Sequence, residues 1–307
     1  GLSASTIMDI IILSVYEARK SSKNRLELAG IVPKDPLAKD VLIASGLPYH
    51  LNIPMKYSRT KVERFATRSG VQGEERRKSG IIATELTEYF NRCLEHQNME
   101  LRDEGKLLMA TLLGEVLDNC EIHGGEHATW YTQGHYENNP NNLYGEMQLL
   151  FLNLGDTIYQ GLEEQSTEET EERLDHYLRK HVPYLSANWD KEMACTVFAL
   201  QEGISRLRDK KKEGYEGRGT GTVSLIETLN LIGKCDDGQM PEMTIISGRT
   251  YIKFNGKYNM RKMKFDNDPV FGNGEKSIIA FNGGNNIYKP ADTEFVQKLQ
   301  ENFPGTV

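Results

Sequence analysis

An α+β fold is predicted by three features of the sequence. Leu107 to Ile122 repeats apolar residues at helical spacing (Leu107, Leu108, Leu112, Leu113, Val116, Leu117, Cys120) and reads as a helix apolar round most of its circumference. His127 to Tyr136, rich in aromatic and β-branched residues, and Glu146 to Asn153 flank the turn Asn138-Asn139-Pro140-Asn141-Asn142, so the two runs read as a hairpin. Met243 to Ser247 and Thr250 to Phe254, joined by Gly248-Arg249, read as further strands, and Phe303 to Val307 as the entry to a last one. A chain of 307 residues is about twice the usual domain size. The expected division is a small α/β domain at 1–75 and a larger domain at 76–307.

The N-terminal elements are read in order. Ser3 to Ala18 contains the apolar run Ile7 to Leu13, which Asp9 interrupts and which is too short to span a bilayer. Leu26 to Val32 alternates as a short strand before Pro33. Asp35 to Ala44 reads as a helix stopped at Gly46.

The helix at 107–122 carries the first functional signal. Glu115, Asn119 and His123 stand four residues apart and share one stripe of it. A carboxylate and an amide within a buried helix are costly unless something pairs with them. A ligand supplies such a partner, with Asn119 on a metal ion and Glu115 on a water; protein partners inside a buried helix would serve as well. Gly124-Gly125 ends the helix, so His123 and His127 cannot share a helical face as a zinc pair must. A second signal is Gly217-Arg218-Gly219-Thr220-Gly221, followed by the apolar-periodic Thr222 to Leu229. Three glycines at alternate positions let consecutive N–H groups converge on an anion, and the helix behind them adds its dipole. Such a run can also be only a tight turn.

Together these residues resemble the GHKL superfamily of ATP-binding domains, which includes gyrase, the MutL repair proteins and the sensor histidine kinases. Glu115-x-x-x-Asn119-x-x-x-His123-Gly124 is similar to the family's N box, and Gly217 to Gly221 to its second glycine box. Where the family places Asp-x-Gly-x-Gly after a strand, this chain has Asn153-Leu154-Gly155-Asp156-Thr157. The first glycine is kept; Asn153 replaces the adenine-reading aspartate and Thr157 the second glycine. The resemblance spans roughly 79–307. It implies a Bergerat-type two-layer α/β sandwich, a mixed sheet with helices on one face, that takes ATP or ADP and Mg²⁺. Asn119 would supply the metal ligand. Glu115 would orient and deprotonate the attacking water, as in the hydrolysing branch. His123, Asn153, Gly155, Thr157, Gly217, Arg218, Gly219, Thr220 and Gly221 would complete the nucleotide site.

The same resemblance places a mobile lid at 161–215. It opens on the acidic run Glu163 to Glu172, continues as helices Glu169 to Lys180 and Lys191 to Arg208, and ends in Arg206, Arg208 and Lys210 to Lys212 beside the glycine box. The acidic run equally reads as a solvated surface. Residues 1–75 are similar to the later part of a STAS-like domain, in which case the chain begins inside that domain and a protein partner docks there; a helical subdomain is the alternative. The family also allows a homodimer, and the domain pairing suggests prokaryotic signalling. An ATP-driven switch, an anti-sigma-type protein-serine kinase and a non-catalytic nucleotide-binding module all use this site. Histidine kinase activity fits less well, because His96 has no acidic neighbour in His96-Gln97-Asn98-Met99.

Composition narrows the classes further. Asp and Glu number 44 against 37 Lys and Arg, net −7, which leaves no general nucleic-acid footprint. Cys93, Cys120, Cys195 and Cys235 are widely spaced, without a zinc pattern, and read as reduced thiols of a cytoplasmic protein. No signal peptide, membrane-spanning segment or repeat is expected.

Overall fold

The computed structural model describes residues 32–45, 48, 62–71, 78–123, 128–137, 145–204, 221–232 and 240–307. In chain order they form α1 (Pro36–Ser45), β1 (Val62–Val71), α2 (Ser79–Glu95), α3 (Asp103–His123), β2 (Thr129–Glu137) and β3 (Glu146–Leu154). Then come α4 (Ile158–Gln165), α5 (Glu168–His181), a 3-10 turn (Val182–Tyr184), α6 (Lys191–Ala199), α7 (Gly221–Ile232), β4 (Met243–Phe254), β5 (Asn259–Asp268), β6 (Gly272–Ala280) and β7 (Val296–Thr306). The protein is therefore a mixed α/β structure, as expected. The run Ile7 to Leu13, the strand at Leu26 to Ile31 and the basic residues Arg206, Arg208 and Lys210 to Lys212 lie outside the described residues. No helix among the described residues is long and apolar enough to cross a membrane.

The chain divides into two compact units. The first comprises Gly1–Leu117 and Thr129–Leu152. Its strands neighbour in the order β1-β2-β3, and β1 pairs antiparallel with β2 from Val62↔Glu137 to Val71↔Thr129, with a bulge between Phe65 and Arg68. Helix α2 repeats buried residues at Ile82, Leu86, Tyr89 and Cys93, and Tyr89 lays its ring 5.5 Å from Phe65 of β1. Each such apolar side chain contributes about 1.5–3 kcal/mol by leaving water. In α3, Leu112, Leu113 and Leu117 are buried, but Leu107 is 71% and Leu108 51% exposed. The expectation of a helix buried round most of its circumference is corrected: α3 buries one face.

The second unit comprises Asp118–Ala128 and Asn153–Val307. The end of β3 pairs with β7 at Asn153↔Thr306, and β7 pairs with β4. Both ladders are antiparallel, as is the one between β1 and β2, where a mixed sheet was expected. The two expected strands at Met243–Ser247 and Thr250–Phe254 are one strand, because Gly248 takes φ +58 and absorbs the irregularity between them. Strands β5 and β6, which no sequence pattern announced, make a separate antiparallel pair.

Three helix starts in this unit have a local cause. Thr157 and Gln160 form a reciprocal capping box on α4, Thr167 caps α5 and Asp190 caps α6. The acidic run is explained in the same terms. Glu168, Glu169 and Glu171 occupy the first turn of α5, with Arg179 and Lys180 in the last, so charge follows the helix dipole.

The core of this unit brings Leu162, Leu174, Tyr177 and Phe198 together with Ile252, Phe254 and Phe281 of the strands and their loops. Residues 161–204, expected within a lid, thus supply part of a packed core, and lifting them would return those side chains to water. Only 205–215 of the expected lid stay outside the described residues. Helix α6 stops at Ala199, short of the expected Arg208. Beyond it Gln201 and Glu202 turn their side chains to the backbone of β6, which a continued helix would prevent.

Candidate functional site

The structural centre of the site is the end of β3. Direct partners across a sheet present side chains to the same face. Asn153 of β3 stands opposite Thr306 of β7, which stands opposite Ser247 of β4, so the three form one polar row. The Thr306 and Ser247 hydroxyls are 2.9 Å apart, and Ser247 Oγ also accepts the Ile158 N–H at 2.8 Å. That bond fixes the first turn of α4 against the row.

Asn153 is 4% exposed, and its Oδ1 is fully buried without a hydrogen-bond partner among the described residues. Leaving such an acceptor unpaired costs about 1–3 kcal/mol. Neither strand neighbour donates to it: the Ser247 and Thr306 hydroxyls bond to each other, and Ser247 Oγ accepts from α4. The row carries hydroxyls and an amide and no formal charge, which suits the edge of a neutral polar heterocycle better than a phosphate. Gly305, at φ +117, allows the backbones of β7 and β3 to approach closely here: a Cβ there would fall on the Asn153 backbone carbonyl oxygen.

Gly155 is exposed and outside the left-handed region, and Thr157 sits in extended backbone at φ −72, ψ 161. Neither position demands glycine, so threonine fits where the resemblance expects a second one. The Thr157 hydroxyl is committed to α4, accepting from the Gln160 N–H at 3.1 Å.

Glu115 and Asn119 stand one turn apart on α3, Glu115 exposed and Asn119 half-buried. The expected cost of burying them is therefore not incurred in this state. Among the described residues neither side chain has a hydrogen-bond or ion-pair partner, so both are free to take a ligand. No hydrogen bond joins Asn119 to the Asn153 row. His123 closes α3, with its side chain outside the described residues. Gly221 opens α7, while Gly217, Arg218, Gly219 and Thr220 lie outside the described residues.

Among the described residues no group of three or more His, Cys, Asp and Glu could hold a metal ion. A donor set consisting of Asn119 alone fits Mg²⁺, which keeps several waters and takes phosphate oxygens. His96, followed by no acidic residue in His96-Gln97-Asn98-Met99, meets one in space: its Nε2 lies 2.6 Å from Glu63 Oε2, and its ring stacks on Tyr136.

Ser247, Gly305 and Thr306 were not anticipated as site residues. Their only sequence signal is a hydroxyl residue ending an apolar run beside a glycine (Ile245-Ile246-Ser247-Gly248, and Gly305-Thr306-Val307), which becomes meaningful once the strands are paired. Comparison of the chain with protein-family models, curated proteins and solved structures gave no match in any of the three.

Proposed function

We propose that residues 76–307 are a GHKL-type ATP-binding domain of the Bergerat fold, which binds ATP or ADP with Mg²⁺ and hydrolyses ATP to signal to a protein partner. The observation that carries this reading is the orphaned Asn153 Oδ1 at the end of β3, beside the Ser247–Thr306 hydroxyl pair. A buried acceptor without a protein donor suits the exocyclic amino group of adenine. Asn119 holds Mg²⁺ through its side-chain oxygen; the ion, when bound, offsets phosphate charge. Glu115, exposed and unpaired among the described residues, orients a water and takes its proton. The backbone N–H groups of 217–221 and the N-terminus of α7 receive the phosphates, and the basic end of 205–215 closes over them. Residues 1–75, STAS-like, engage the partner, and the chain works in the cytoplasm, as a homodimer where the family precedent holds.

The test is a titration of the whole chain with ATP, GTP and ADP, with and without Mg²⁺. Binding of ATP followed by release of inorganic phosphate supports the hydrolytic reading. Transfer of label to a second protein shifts it to the serine-kinase form, and tight binding without turnover to a non-catalytic module. No binding of any nucleotide removes the proposal.

A further inference from the structure

The β5–β6 pair has one closed edge and one open edge. On β6, the Ser277 N–H donates to Glu202 Oε2 (2.6 Å), and the Ile279 N–H to Gln201 Oε1 (2.9 Å). The Gln201 Nε2 donates back to the Ile279 carbonyl at 3.3 Å. Two side chains thus imitate a neighbouring strand and seal that edge. Because Ser277 and Ile279 turn their backbone groups away from β5, they belong to the non-hydrogen-bonded pairs of the ladder, in which both partners point outward. Their partners are Lys262 and Met260, and the unshifted register adds Lys264, opposite Glu275. The outer edge of β5 therefore presents the N–H and C=O groups of Met260, Lys262 and Lys264, and among the described residues no hydrogen bond reaches them.

Charge decides what can pair there. Lys262 and Lys264 are exposed and have no ion-pair partner among the described residues, Glu275 included. A second copy of this edge, laid antiparallel about Met263, would set Lys262 opposite Lys264, which opposes self-pairing in that register. An extended segment with carboxylates at alternate positions would meet both lysines across the new ladder while satisfying the outward backbone groups.

We propose that the open edge of β5 is a β-augmentation site for an acidic, extended segment of a partner protein, with carboxylates opposite Lys262 and Lys264. The site is independent of the nucleotide reading.

The probes are two capped octapeptides, one alternating Val and Glu, the other Val and Lys, added to the whole chain. Amide exchange is followed at Met260, Lys262 and Lys264. The acidic peptide is expected to slow exchange at those three amides by roughly tenfold or more, and less at high salt, while the basic peptide leaves them unchanged. In the double variant Lys262→Glu/Lys264→Glu the preference reverses. No protection by the acidic peptide at millimolar concentration overturns the proposal. So does equal protection by both peptides, or dimerisation of the unliganded chain through this edge.

Discussion

His181 is the residue whose titration the fold should feel most. It is fully buried, with its ring 4.4 Å from that of Tyr177. The Trp189 indole N–H, which can only donate, lies 3.1 Å from its Nδ1, so Nδ1 accepts and Nε2 carries the proton, donating to the Ile287 carbonyl at 3.1 Å. A second proton on Nδ1 would face an N–H donor in a site closed to water. Burial accordingly pushes the pKa from its ordinary 6.5 down to about 4, with the Ile287 bond opposing the fall. Between those values the unfolded chain binds the proton and the folded chain does not. The contribution is thus complete above about pH 6.5 and is lost as pH falls toward about 4, a loss of about 3 kcal/mol at 1.36 kcal/mol for each pH unit. The assay is urea unfolding of wild type and His181→Phe between about pH 4 and 7.5, taken as a difference so that other groups cancel. The wild-type advantage should shrink by about 3 kcal/mol across that range. Parallel stability curves would refute the account of the site, and with it the reading of α5 and α6 as core.

Asn153→Leu, which replaces an orphaned buried amide by an apolar group of similar size, should raise stability by about 1–2 kcal/mol in urea melts without nucleotide and abolish ATP binding; lower stability with unchanged binding contradicts both halves. Gly305→Ala should cost roughly 2–4 kcal/mol, because it meets positive φ and the Asn153 carbonyl at once, and a melting temperature within a degree of wild type would show that the strands give way easily. Glu115→Ala should leave Mg-ATP affinity nearly unchanged and lower turnover by a factor on the order of 10² to 10⁴. Turnover at the wild-type rate would show that another group handles the water.

Much of the fold was legible because it is written locally. The spacing of Leu112, Leu113 and Leu117 marks α3, and the runs His127 to Tyr136 and Glu146 to Asn153 mark β2 and β3, while the expected Asn/Pro turn lies outside the described residues. What local pattern could not give was which side of a helix meets water: Leu107 and Leu108 carry the same signal as Leu112 and Leu113 and lie exposed. Strand β5 (Met260-Arg261-Lys262-Met263-Lys264) alternates poorly and is marked only by its pairing with β6, whose other edge is closed by Gln201 and Glu202, far away in sequence. The resemblance places a lid over α5 by position, and the acidic run at its start records charge but not the helix dipole it completes. In the candidate site, Asn153 was legible from its motif, whereas Ser247 and Thr306 join it only through the pairing of three strands.

The central claim is that the buried Asn153 acceptor reads an adenine. Calorimetric titration of wild type, Asn153→Ala and Asn153→Asp with Mg-ATP and Mg-GTP tests it most directly. The account predicts saturable ATP binding by the wild type, weakened in Asn153→Ala by about 1–3 kcal/mol, or roughly fivefold to 150-fold. Asn153→Asp should sharpen the preference for ATP over GTP, since a carboxylate cannot donate to the guanine carbonyl. Equal ATP affinity in wild type and Asn153→Ala would contradict it.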